Sequence, residues 1–177
     1  MRHVAFIRAV MIGREGLHQE VVLDIFSRAG AGNPVSHRAT GNVSFDLDPG
    51  AMIPFLEETD HRMTEVVGRP IESFVRTLDE LASIDGEAIF ALAPFEVVDG
   101  RHVTFFHETP DLSDWSLPHL ARHDRVAVFH VSGREVFSAS QVVDGESAAP
   151  GGILEKATGQ RATTRAWSTI HHILSKH

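Results

Sequence analysis

The stretch Val35-Ser36-His37-Arg38-Ala39-Thr40-Gly41-Asn42-Val43-Ser44-Phe45-Asp46-Leu47 decides the fold. Thr40-Gly41-Asn42 reads as a tight hairpin turn, because Gly and Asn tolerate positive φ. Before it, residues 35–39 make a short strand. After it, Val43-Ser44-Phe45-Asp46-Leu47 alternates apolar and polar, as a half-buried strand should. Two strands joined directly by a turn must lie side by side, and what flanks them then fixes the topology.

Upstream, residues 3–8 read as a buried strand carrying Val4, Phe6 and Ile7, with Arg8 at its end. Gly13-Arg14-Glu15-Gly16 breaks the pattern. A helix over about residues 17–29 follows, with Val21, Val22, Ile25 and Phe26 on one face. Gly30, Gly32, Asn33 and Pro34 end it. Downstream, Asp48-Pro49-Gly50 punctuates before a helix over residues 51–67, with Pro54 in its first turn, where proline is tolerated. Gly68-Arg69-Pro70 stops that helix, and residues 71–76 make a further strand. The order β-α-β-β-α-β is the ferredoxin-like split unit. In that unit the first two strands run parallel, so the loop after Arg8 and the Gly41 turn share one end of the sheet. The start of the first helix lies there too, where free N–H groups favour an anion.

Thr77 with Glu80 three residues on has the form of a capping box, opening a helix to about residue 91. Ala93-Pro94-Phe95 ends it, and residues 96–100 read as a linker. The second half predicts a strand over 101–107 and a short helix over 112–122. A hairpin follows, 125–131 with 135–139, around Ser132-Gly133-Arg134. Helices over 153–158 and 164–176 complete it, with Trp167, Ile170, Ile173 and Leu174 as the apolar stripe of the last. The fold class is α+β: a ferredoxin-like unit over 1–94 and a second, related or decayed unit over 95–177, its C-terminal helix packing back.

The bulk numbers bound the function. The 177 residues are 42% hydrophobic and 23% charged, ordinary for a globular protein. Nothing in them is long and apolar enough to span a bilayer, and no secretory signal is read at the N-terminus. There is no cysteine, hence no disulfide and no thiolate ligand. Together these features point to the cytoplasm. The net charge of −8 argues against nucleic-acid and membrane partners, which need a cationic surface. No cofactor is expected: the glycine-containing loop fits neither the Walker nor the dinucleotide pattern. His119 and His123 stand four apart on the predicted helix, but no third ligand is near, so no metal is expected. Phe105, Phe106, Phe129 and Phe137 lack the basic signature of a base-stacking sheet and read as core.

The densest chemistry is Arg161-Ala162-Thr163-Thr164-Arg165-Ala166-Trp167-Ser168-Thr169-Ile170. Thr163 or Thr164 is placed to cap the last helix. The plainer account is a cap with a tryptophan anchor. The functional account adds the arginines as a fork for phosphate or carboxylate.

Three segments carry a family resemblance. Phe6-Ile7-Arg8-Ala9-Val10-Met11-Ile12-Gly13, Thr40-Gly41-Asn42-Val43-Ser44-Phe45 and Leu154-Glu155-Lys156 through Thr163–Thr169 resemble, in order, the bacterial family called domain of unknown function 1697. The resemblance implies an α+β protein with a ferredoxin-like first unit, and it implies no activity. The matching positions Arg8, Gly13, Gly41, Asn42, Thr163, Thr164, Arg165 and Trp167 are the candidate ligand-binding residues. No catalytic residue is assigned. The departures are Ala9 and Met11, where the family has glycine and asparagine, and Ala166 and Ser168, where it has asparagines. These readings lead to a binding or regulatory protein for a small anionic ligand in a cleft between the units. A hydrolase or transferase acting on a phosphorylated metabolite is the enzyme alternative. A structural or oligomerisation module, with a homo-oligomer as partner, is the third.

Overall fold

The computed structural model describes residues 1–177. The chain divides into two units, Met1–Ser83 with His177, and Ile84–Lys176. The fold is α+β, with two antiparallel sheets and six α-helices.

In the first unit the chain runs β1 (Arg2–Ile7), α1 (Gln19–Arg28), β2 (Gly32–Ser36), β3 (Asn42–Asp46), α2 (Met52–Val67), β4 (Ser73–Thr77) and α3 (Leu78–Ala82). The sheet order is β2-β3-β1-β4, and every neighbouring pair is antiparallel. Because β1 and β2 both oppose β3, they run in the same direction. The loop after β1 therefore meets the β2–β3 turn at one end of the sheet: Ile7 N–H donates to Gly41 O at 2.8 Å, and Ile12 N–H to Ala39 O at 2.7 Å. The core beneath the sheet joins Ala5, Ile7, Val43 and Phe45 to Val22, Ile25 and Phe26 of α1 and Phe55 and Met63 of α2. Phe45 stacks on Phe55 at 4.8 Å, and Phe26 meets both edge-on at 5.4 and 5.3 Å. Such aromatic geometry adds about 0.5–1.5 kcal/mol per pair beyond burial.

Three local features of this unit differ from expectation. The strand expected over 35–39 lies at Gly32–Ser36 and includes Pro34. It is an edge strand, where a residue without an N–H donor is tolerated. Asn42 does not take the positive φ expected of a turn residue; Arg38 and Gly41 do, and Asn42 opens β3. The helix expected over 77–91 is two. The Thr77–Glu80 capping box is present, but the first helix ends at Ala82, and Asp85 accepts from Ala88 N–H at 3.0 Å to start α4 (Gly86–Phe90).

The second unit continues from α4 with β5 (Gly100–Phe105), β6 (His119–Ala121), β7 (Val126–Ser132), β8 (Glu135–Ser140), α5 (Gly151–Thr158), β9 (Thr163–Ala166) and α6 (Trp167–Leu174). Its sheet is five-stranded, order β6-β7-β8-β5-β9, all antiparallel. That order is not the order of the first sheet, so the unit is not a copy of it. The predicted helix over 112–122 is absent. Pro118 cannot donate within a helix, and the segment turns into β6 before three left-handed residues, Arg122, His123 and Asp124. His119 and His123 consequently share no helix face. No helix of the protein is long and apolar enough to cross a membrane.

Candidate functional site

The closing stretch is organised differently from its sequence reading. Thr163 and Thr164 do not cap a helix. They belong to β9, where Phe105 pairs with Thr163, Thr104 with Thr164 and Val103 with Arg165. β-Branched residues favour a pleated ladder when a partner strand is available. Thr164 Oγ1 lies 2.8 Å from Thr104 Oγ1, so that hydroxyl is engaged across the strands. Arg165 is 8% exposed, and its Nη1 donates to Thr163 Oγ1 at 2.7 Å and to Thr164 O at 2.9 Å. Burial pulls its pKa down to about 10, which leaves it charged at neutral pH. Both of these bonds run to the two residues that precede it in β9.

The last helix begins three residues later than expected, at Trp167. Its N-cap is Ala166, in extended conformation with φ −64° and ψ 138°, and it supplies no side-chain hydrogen bond. Trp167 lies against Gly86 and stands 5.7 Å from Phe90, ring to ring. These contacts fix the indole at the entrance to α6.

That entrance opens onto a cavity of about 660 Å³ inside the second unit. Ala166 lines it from the end of β9, Trp167, Ser168 and His171 from α6, Glu87 from α4, Asp99 from just before β5, and Arg101 and His102 from the start of β5. Ser168 and His171 are three apart on a helix and so share a face. The Arg101 guanidinium lies 5.8 Å from the Phe90 ring centroid. His102 Nε2 is 3.0 Å from Ser140 Oγ, and burial lowers the His102 pKa, which favours a neutral imidazole. Asp99 accepts from Val142 N–H at 2.7 Å. No side-chain hydrogen bond or ion pair within the protein occupies Glu87, Ser168 or His171. The site thus offers a cation, a hydroxyl, two imidazoles, two carboxylates and a helix start, in a volume suited to a small metabolite.

The eight residues singled out from sequence divide between the units. Arg8, Gly13, Gly41 and Asn42 fall in the first; Thr163, Thr164, Arg165 and Trp167 fall in the second. In the first unit, Arg8 N–H donates to Glu72 O at 2.9 Å, and Gly13 N–H to Leu17 O at 2.8 Å. The Asn42 amide, wholly buried, donates to His37 O and to Thr40 Oγ1, both at 3.0 Å. Gly41 and Asn42 therefore hold the β2–β3 turn. In the second unit, only Trp167 of the four lines the cavity. Glu87, Asp99, Arg101, His102, Ser168 and His171 were not singled out as binding residues. The one local signal was the three-residue step from Ser168 to His171, which gains meaning only once the helix is known to start at Trp167.

A family model described as "Protein of unknown function (DUF1697)" matches residues 1–137. The chain belongs to the DUF1697 family. The matched region contains the opening segment and the Gly41 turn, and it ends before the Arg161–Ile170 stretch. This DUF1697 chain is also similar to a solved structure, that of a conserved bacterial protein from Streptococcus pneumoniae. The TM-score is 0.64 at 14% identity, over 99% of this chain and 97% of that one. At that identity the likeness concerns the fold. None of the curated proteins compared with the chain matches it.

The family resemblance places an asparagine at position 166, and the structure gives that position a physical meaning. Asparagine is among the best N-cap residues and alanine among the poorest. Ala166→Asn is expected to raise unfolding stability by about 1 kcal/mol, read as a higher urea midpoint at unchanged slope. An unchanged midpoint would mean that the first turn of α6 already has its N–H groups satisfied.

Proposed function

We propose that this DUF1697 protein is a cytoplasmic binding protein for a small anionic metabolite, held in the cavity of its second unit. In this reading the first unit is a ferredoxin-like scaffold, supported by its β-α-β-β-α-β chain order and the strand order β2-β3-β1-β4. The observation that carries the binding reading is the cavity of about 660 Å³ at the uncapped start of α6, with Arg101 and the Ser168 hydroxyl on its wall. A phosphate or carboxylate placed there meets helix N–H groups, a hydroxyl donor and a guanidinium. Glu87 and Asp99 face the same space, so the ligand also carries hydroxyl or amino donors for them.

A thermal-shift panel of phosphorylated and carboxylated metabolites tests this reading. A true ligand at a hundredfold excess over Kd stabilises by about 2.7 kcal/mol, a rise of roughly 5–10 °C for a chain of this size. Arg101→Ala is expected to weaken binding about tenfold or more, since a charged hydrogen bond is worth about 1.5–3 kcal/mol. A panel without any shift, or a shift that Arg101→Ala leaves intact, contradicts the reading. A hydrolase or transferase acting on a phosphorylated metabolite is the second reading, favoured by the neutral His102 in the same cavity. Phosphate release that His102→Gln abolishes would favour it over simple binding.

A further inference from the structure

A second cavity in the same unit, of about 430 Å³, has a different chemical character. Its walls include Trp115, Ala121, Arg122, Ile153, Lys156 and Ala157. Two cations line it and no carboxylate does, although the chain as a whole carries a net charge of −8. No carboxylate is within ion-pair distance of Arg122 or Lys156. The aromatic wall is already set. The His119 ring lies 3.9 Å from the Trp115 ring, the two planes 15° apart, and Trp115 packs against the cluster of Phe106, Val128, Val136 and Leu154. One face of the indole is thus covered by imidazole, and its orientation is fixed before any ligand arrives.

We propose that this cavity binds a small planar aromatic ligand carrying a phosphate or carboxylate. The ring lies against Trp115 and the apolar side chains of Ala121, Ile153 and Ala157. The anionic group meets Arg122 and Lys156. Three arguments carry this. Cations left without a carboxylate in an acidic protein form a local positive potential that attracts an anion. An indole already held in place stacks an aromatic ring without further ordering cost. The volume of about 430 Å³ lies within the range of small-molecule sites. The inference is independent of the α6 cavity, because the two share no residue.

Each of the chain's two tryptophans lines one of the cavities, so fluorescence can report on each alone. In a Trp167→Phe background, Trp115 is the only indole. Adenosine 5′-monophosphate serves as the probe, with adenosine and inorganic phosphate as separate arms. Titration with the nucleotide is expected to change Trp115 emission saturably, with Kd below about 1 mM. Adenosine is expected to bind at least about tenfold more weakly, and phosphate alone to leave the emission unchanged. Arg122→Ala with Lys156→Ala is expected to weaken the nucleotide about tenfold or more while far-UV circular dichroism stays as it was. A nucleotide titration that stays flat to about 10 mM overturns the proposal, as does equal binding of adenosine or undiminished binding by the double variant.

Discussion

Replacing Gly86 with alanine is expected to destabilise the protein by about 2 kcal/mol. An alanine Cβ at this position would come within 2.2 Å of Trp167 Cζ2, 2.3 Å of Cε2 and 2.6 Å of Nε1. Ordinary carbon contacts lie at about 3.5–4.0 Å, so the indole must move by more than 1 Å. It is a rigid ring, held against Phe90 and continuous with the first turn of α6, and cannot yield by a change of rotamer alone. Overpacking of this kind costs about 1–3 kcal/mol, partly offset by the lower chain entropy of an unfolded alanine. Urea denaturation measures the net effect. If the overlap is the cause, Trp167→Leu in the Gly86→Ala background recovers most of the loss relative to Trp167→Leu alone, as a coupling of at least about 1 kcal/mol. Gly86→Ala within about 0.5 kcal/mol of the parent would show that the indole is not seated on Gly86. The variant also displaces a wall of the α6 cavity, so weaker binding of the anionic ligand is expected alongside.

Gly41→Ala is expected to cost about 2–4 kcal/mol, the larger loss of the two. Gly41 has φ +67°, in the left-handed region where a Cβ costs about 1–2 kcal/mol. The new Cβ would also stand 2.5 Å from Val10 Cγ2 and 3.1 Å from Ile7 O. Close packing between the turn and the loop after β1 is thus the second cost. Gly68→Ala separates the two. Its φ is +76°, and nothing lies within 4 Å of the added Cβ, so it isolates the backbone cost at about 1–2 kcal/mol. Denaturation midpoints of the two variants should differ accordingly. Equal losses would remove the packing argument. A stable Gly41→Ala protein with altered ligand affinity would assign Gly41 to binding rather than to the turn.

The first unit was readable because its decisive features are local. The Gly41 turn, the αL stop at Gly68 and the Thr77–Glu80 box are each set by residues a few positions apart. Alternation then assigns the core face of β3, as Val43 and Phe45 show. The second unit was less readable because its decisive partners are remote. Thr163-Thr164-Arg165-Ala166 looks like the approach to a helix when read alone. It becomes a strand because β5, some sixty residues earlier, offers it a ladder. Pro118 is a local signal against the helix predicted over 112–122, because it has no N–H to give to a helical ladder. The cavity at α6 was hidden for the same reason as β9. Glu87, Arg101 and Ser168 come from three separate segments, and none carries a motif. What the sequence did mark, Arg165 with its threonines, lies in β9 and hydrogen-bonds within that strand, outside the cavity wall.

The central claim is that the start of α6 holds an anionic ligand. A Trp115→Phe variant leaves Trp167, which lines that cavity, as the sole indole. The decisive measurement is its emission during titration with the metabolite that gives the largest thermal shift. The account predicts a saturable change whose midpoint moves about tenfold or more to higher concentration in Arg101→Ala. An unchanged Trp167 signal with a ligand that still stabilises the protein would place binding elsewhere and contradict the account.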